Sequence, residues 1–434
     1  MGLRNQSPLV LPNELLELII NNLQADNDDD QESLISCSYA NRILCIICQT
    51  RLFQNVVVIH GEGHGADNIT LFDDKQSTGN RFLRLLDGSP HIGSYVRKIT
   101  LKAVFPRSLS DADTIASRDP QFSFYAIPSR LQNLQEFILL APTYFRWRNF
   151  DEPTKTFLRN MTQRLPVLDF HLIEGIPISV FYNCAALRGL RIASFERNTD
   201  PTAMLHTRAK LRALEVGYDS ESHISAPKEL PSWFKPTSSP FDLRHLMDLT
   251  LPSNDYFMSD IQGMLELCSN TLERLDFHLG YQYELPFEVN GLTPGSEPEI
   301  TPPNLGSLHQ LRRLTFRTAI CGSGELLTSD IPFASSILKT LSYDMHHPPL
   351  ELILDIYLQG YPIDCLSTFP WFILVNVLCG NQILPRLAGV ELKFLLQVGC
   401  GGVEISPQDL ASSLDQNEDL SKLRGKGLLS YTYS

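Results

Sequence analysis

Two hydrophobic rhythms follow one another along the 434 residues. The first is helical. Leu11, Leu15, Ile19 and Leu23 recur every four residues, and Leu16, Leu18 and Ile20 widen the stripe beyond one face. Pro12 suits a first turn, where its missing N–H costs nothing. Glu14 and Glu17 suit the positive end of the same helix. The pattern predicts a helix over 12–24. A solvated acidic loop, Asp26 to Glu32, follows, and its last acids favour the start of a second helix over 33–49. Leu34, Cys37, Asn41, Leu44 and Cys48 mark one face of that helix, with Ile35, Ala40, Ile43 and Ile47 beside it. Seven large apolar side chains on the first helix represent roughly 10–20 kcal/mol of gross burial. One packed neighbour covers a single stripe, so part of this surface is expected to await another chain. An ordinary N-terminal core helix is the alternative.

The second rhythm has the period of a strand. Val56 to Ile59 is β-branched and reads as a first strand, followed by a turn at Gly61, Gly63 and Gly65. Phe82, Leu83, Leu85 and Leu86 form a short amphipathic helix before Gly88-Ser89-Pro90. From Val96 a six-residue figure then returns: apolar, two variable, apolar, variable, apolar. It occupies 96–101, 134–139, 165–170, 187–192, 211–216, 246–251, 272–277, 311–316, 338–343 and 387–392. The closest copies lie 22–27 residues apart, within the leucine-rich period, and the wider gaps imply insertions.

Such a strand cannot bury its own apolar edge, so successive units must stack, with the chain returning through helical or irregular arms. Thr154 to Arg164 and Tyr256 to Cys268 read as two of these arms. The third and fifth positions of the figure are expected on the open face of the sheet. Arg191, Glu215, Arg274, Asp276, Arg313 and Thr315 are the candidate target-binding residues there, accompanied by Lys98, Asp169, Asp248, Ser342 and Glu391. Two Pro-rich stretches, 217–240 and 281–303, interrupt the repeats and are too rich in Pro to continue a sheet. The tail predicts a helix with Pro407 early in it and a last strand at Leu428 to Tyr433.

Composition narrows the classes. The chain is 43% apolar and 20% charged, as soluble globular proteins are. A net charge of −13 argues against broad nucleic-acid binding. Nine cysteines, an odd number, in a chain without a signal peptide point to a reducing compartment, cytoplasmic or nuclear. The most apolar late stretch, Phe369 to Leu384, is broken by Pro370, Asn376, Gly380 and Asn381 and is too short to span a bilayer, so no membrane partner is expected.

Candidate chemistry is thin. Cys45-Ile-Ile-Cys48 has redox or zinc spacing, but it lies in an apolar helix with no second pair, and buried packing explains it better. His60-Gly-Glu62-Gly-His64 sits on a glycine turn without a fixed third ligand. Gly61, Gly63 and Gly65 do not complete a dinucleotide or phosphate loop, and no Gly-x-Ser-x-Gly elbow occurs. The reading is therefore a non-enzyme with no catalytic residues, no metal site and no cofactor.

Leu11-Pro12-x-Glu14-Leu15-Leu16-x-x-Ile19, then Leu23, then Leu34 to Phe53, resembles an F-box. Members of that family dock on a Skp-type adaptor and, through it, on a cullin. By position, Leu11, Pro12, Leu15, Leu18, Ile19 and Leu23 resemble the adaptor-binding residues, and Leu52-Phe53 the closing apolar pair, where many members carry Trp in place of Phe. The acidic insertion 26–32 departs from the pattern. Phe82 to Leu86 with Pro90 to Arg97 resembles the opening of the repeat region in the irregular leucine-rich-repeat F-box proteins of mushroom-forming fungi. The resemblance implies an α/β chain: all-α F-box helices in 1–60, then an irregular leucine-rich-repeat-like solenoid with a parallel concave sheet in 61–434. It implies a substrate receptor of an SCF-type ubiquitin ligase that binds a target protein. The alternative is a repeat scaffold with no ligase role, capped by its N-terminal helices.

Overall fold

The computed structural model describes residues 13–23, 25, 27–40, 42–60, 78–103, 126–193, 195–196, 207–216, 239–253, 258–279, 302–323, 326–328, 331–341, 347–359, 366, 369, 371–380, 387–397 and 406–433. The chain divides into two compact units, Met1–Met161 with Leu165–Ile173, and Thr162–Arg164 with Glu174–Ser434. The expected domains, 1–60 and 61–434, divide the chain by role; the helices before residue 60 share the first compact unit with four strands.

The first unit opens with helices α1 (Asn13–Asn21), α2 (Asp28–Ser38) and α3 (Arg42–Leu52). Two expectations change here. The region read as one helix over 33–49 is two helices. Ser38 Oγ takes up the Ile35 carbonyl at 2.6 Å, and the chain turns at Tyr39 and Ala40, whose N–H groups bond back to Ser36 and Cys37. The acidic stretch is largely helical as well. Asn27 caps α2 by accepting from the N–H groups of Asp29 and Asp30, which places Asp28, Asp29 and Asp30 in the first turn, where the helix dipole favours negative charge. Ile20, Leu34 and Cys48 form the centre of the bundle, with Leu23, Cys37, Leu44, Ile47 and Leu52 against them.

Strands β1 (Asn55–His60), β2 (Lys98–Ala103), β3 (Glu136–Arg146) and β4 (Val167–Glu174) follow, adjacent in that order. β1–β2 and β2–β3 are parallel, with Val56 beside Ile99 and Ile99 beside Phe137. Parallel neighbours need crossovers, and α4 (Thr78–Gly88) and α5 (Glu152–Arg164) lie in two of these connections. Asp151 caps α5 by accepting from the Thr154 N–H at 2.9 Å, with Pro153 in the first turn. Phe157 of α5 then meets Phe137 edge to face at 6.0 Å.

Among its described residues the second unit sets eight strands side by side in one sheet. Strands β5 (Gly189–Ile192), β6 (Ala213–Val216), β7 (Asp248–Ser253), β8 (Arg274–Leu279), β9 (Arg313–Ser323), β10 (Leu350–Gln359), β11 (Leu387–Gln397) and β12 (Leu429–Tyr433) are parallel, each beside its predecessor in sequence. One register row runs through Leu190, Leu214, Leu249, Leu275, Leu314, Leu352, Val390 and Leu429. All but the last are buried. The apolar positions of the figure therefore form continuous rows across the sheet, and Phe277 stacks on Phe316 at 5.9 Å in the next row. Helices α6 (Met258–Cys268), α7 (Ile331–Leu338), α8 (Trp371–Gly380), α9 (Pro407–Gln416) and α10 (Glu418–Arg424) fill the later crossovers. The apolar stretch near 369–384 forms α8, which packs against α7 and α10 with Trp371 fully buried.

Nine of the ten expected figures fall on strands. The figure at 338–343 does not: Leu338 ends α7, and the strand of that unit is β10. Its register makes Pro349 the first position, so the leading apolar residue of the figure is missing. Of the Pro-rich insertions, 217–238 and 281–301 lie outside the described residues, as do 61–77.

Candidate functional site

Two surfaces collect the residues singled out from the sequence, one in each unit. In the first, α1 turns Ile20 into the small core and leaves Leu15, Leu18 and Ile19 at 46%, 61% and 53% exposure. Leu23 is half-buried against Ile20, Leu34 and Cys48, and its carbonyl accepts from Arg51 Nε at 3.2 Å, so it anchors the end of α1 to α3. Leu11 and Pro12 lie outside the described residues. Ile35, Tyr39, Ile43 and Ile46, which the sequence reading did not single out as adaptor contacts, are exposed as well. Seven of the ten exposed large apolar side chains among the described residues thus lie within α1–α3 and the turn at Tyr39. Exposed apolar side chains are therefore concentrated on this small bundle among the described residues.

Covering the exposed halves of Leu15, Leu18 and Ile19 would contribute roughly 1–1.5 kcal/mol apiece before the costs of association. The cysteines of this bundle serve its packing. Cys48 is buried and Cys45 half-buried, and burial first, then neighbouring Cys37 and Cys45, pushes the Cys48 thiol up.

The second surface is the polar face of the sheet in the second unit. Arg274, Asp276, Arg313 and Thr315, four of the six candidates, line one open pocket of about 340 Å³. Arg191 and Glu215 form a separate pair at 2.5 Å on neighbouring strands. Arg274 is bound by Asp248 through Nε and Nη2. Arg313 is bound by Glu351 through the same two nitrogens, at 3.1 and 2.8 Å. Each pair joins residues directly opposite in the register. The first unit shows the same device between Lys98 and Glu136 at 2.8 Å. Ser342 lies outside the described residues, and Asp169 is buried.

The six-residue figure ends one step short of the next outward row. There the register aligns His278, Arg317, Asp355 and Lys393 across β8 to β11. Arg317, Asp355 and Lys393 line the same pocket. Strict alternation continued by one more step would have found this row, because these strands outrun the figure. Arg317 Nη2 donates to Asp276 at 2.7 Å, and its Nε lies 3.5 Å from Asp355.

Burial pushes Asp276 up to about 6, with Asp355 and Glu215 adding to the rise and Arg317 opposing it. Burial also raises Asp355. Burial, then the charges of Arg317 and Arg191, pushes His278 down to about 3 and keeps the ring neutral. Chemically the face offers recognition: forked cations and carboxylates at fixed spacing. Among the described residues, no group of three or more His, Cys, Asp or Glu side chains is arranged to hold a metal ion. His309 Nδ1 and His347 Nε2 lie 3.1 Å apart on two connections that lead into β9 and β10.

No described helix is long and apolar enough to cross a membrane. No family model matches the sequence, and no curated protein matches it.

Proposed function

We propose that this chain is the substrate-recognition subunit of an SCF-type ubiquitin ligase. Its N-terminal helices hold a Skp-type adaptor and, through it, a cullin; its repeated strands, read as irregular leucine-rich repeats of a solenoid, hold a target protein. The observation that carries the reading is the exposure of Leu15, Leu18 and Ile19 on a three-helix bundle whose sequence resembles an F-box. The polar ladder on the second unit supports the other half, because ion pairs at fixed spacing suit selection of a polar partner more than gain in affinity. Such a subunit catalyses nothing. It raises the effective concentration of a target lysine near a charged conjugating enzyme. The cytoplasmic or nuclear location belongs to the same proposal.

Co-expression with a Skp-type adaptor from a mushroom-forming fungus tests the docking half. The wild-type chain should co-purify with the adaptor in equal amounts, and Leu15→Asp with Ile19→Asp should abolish capture without shifting the melting temperature. Undiminished capture by that variant removes the ligase reading. One observation favours the scaffold alternative: the helices share a compact unit with β1–β4, as a cap would. Residues 60–434 expressed alone decide between them, because a docking module can be removed without loss of solubility and a cap cannot.

A further inference from the structure

We propose that His309 and His347 form a two-imidazole site for a divalent transition-metal ion of the zinc, nickel or copper class. His309 Nδ1 and His347 Nε2 lie 3.1 Å apart, and the ring centroids 5.2 Å apart with their planes inclined at 49°. In the chain alone this contact is a hydrogen bond, one imidazole donating and the other accepting. The same separation suits an ion. With metal–nitrogen bonds of about 2.0–2.1 Å, two nitrogens on one ion lie about 2.9 Å apart at right-angled positions and about 3.4 Å apart at tetrahedral ones. The observed distance falls between the two. An ion can therefore take the place of the shared hydrogen after a modest turn of the rings, and His309, being exposed, has room to make it. With His309 as the donor, that hydrogen passes to its Nε2 and both rings stay neutral, as ligation requires.

The backbone places the two rings before any ion arrives. The His309 N–H donates to the Ser269 carbonyl at 3.2 Å, just past the end of α6. In the same connection the Asn304 N–H donates to Gln262 Oε1 on α6 at 2.8 Å. The Leu305 N–H donates to Thr340 Oγ1, beyond the end of α7, at 2.9 Å. Leu305 and Leu308 are buried between these points. His347 is followed by Pro348 and Pro349, whose rings fix φ, and β10 begins at Leu350. His347 Nδ1 is closed to solvent, which makes Nε2 the nitrogen offered on the His309 side. A pair held in this way loses little freedom on binding.

The donor set chooses the ion. Magnesium and calcium take oxygen ligands, whereas imidazole nitrogens suit zinc, nickel and copper. Among the described residues no third His, Cys, Asp or Glu joins the pair, so water fills the remaining positions. The two ligands are 38 residues apart in sequence and meet only because β9 and β10 are neighbours. No spacing motif announces them. The ion would clip two successive crossovers together, and an unfolded chain offers no such pair, so binding raises stability. The inference stands apart from the receptor reading, since neither histidine belongs to the adaptor-binding or target-binding candidates.

The full-length chain, without an affinity tag, is stripped with a chelator and dialysed. It is then titrated with zinc, nickel or magnesium chloride at matched ionic strength, followed by calorimetry and thermal unfolding. Zinc and nickel should each give a saturable rise in melting temperature, and magnesium none. His309→Gln and His347→Gln should each weaken zinc binding roughly tenfold or more, because each removes one of two protein ligands. Circular dichroism and the melting temperature in excess chelator check their folding; should His347→Gln melt early there, His309→Gln alone decides. Cys45→Ser, in the first unit, should bind zinc as wild type does, which separates this site from the cysteines of the helical bundle. Absence of a rise with zinc and nickel, or zinc affinity within tenfold of wild type in His309→Gln, overturns the proposal.

Discussion

Arg317 donates from Nη2 to Asp276 at 2.7 Å, although its register partner on β8 is His278, two residues further along. The guanidinium therefore leans across the ladder, and its Nε remains 3.5 Å from Asp355 on the other side. One cation is shared by two largely buried carboxylates, and a neutral imidazole fills the position opposite it. This arrangement makes the second unit sensitive to pH.

Asp276 titrates at about 6 in the folded chain, above the ordinary carboxylate value of about 3.9, chiefly through burial. Between those values the folded chain holds a proton that the unfolded chain has released, so this stabilisation is present below about pH 4 and lost as pH rises through 6. The whole effect is at most about 3 kcal/mol. Asp276→Asn removes it. The melting temperature of the variant relative to wild type should improve between pH 4.5 and pH 7.5; a difference that shrinks over that interval contradicts the assignment. His278 acts in the opposite direction in both chains, losing stability as pH falls from about 6.5 toward 3.

The buried rows and the charged rows should differ sharply in worth. Leu275 and Leu314 face each other in the fully buried row. Truncation of Leu314 to Ala should cost about 2–5 kcal/mol in urea unfolding, with the midpoint lowered at unchanged slope. Arg313→Ala, one residue away but exposed, should cost no more than about 1 kcal/mol.

The Asn27 side chain caps α2 by accepting from two N–H groups, those of Asp29 and Asp30. Asn27→Ala should cost about 1 kcal/mol. The acids of the first turn remain in place, so α2 should persist and circular dichroism should change little.

Thiol chemistry reports the packing of the second unit directly. Burial pushes Cys184 and Cys268 up to about 12 and leaves them with little thiolate. Iodoacetamide at pH 8 should modify the half-buried Cys45 in the native chain and reach Cys184 and Cys268 only after unfolding, as mass spectrometry of the digested chain would show.

Much of this arrangement was legible beforehand, because alternation along a strand is a local property. Leu275, Leu314 and their counterparts announce their own burial, and residues between them announce the opposite face. The amphipathic run Leu11 to Leu23 likewise declared a helix with more apolar surface than one neighbour can cover. What sequence could not reach depends on neighbours distant in the chain. The strand at Leu350 instead of Leu338 follows from a register set by the neighbouring strand; the turn at Tyr39, by contrast, is made by local bonds of Ser38, Tyr39 and Ala40 that the apolar spacing does not report. The row of His278, Arg317, Asp355 and Lys393 joins residues about 38 to 39 positions apart, aligned only by the pairing of β8 to β11. Hydrophobic spacing determined which residues are inside; the parallel register decided which charges meet, because pairing energy between strands is settled only when all of them are side by side.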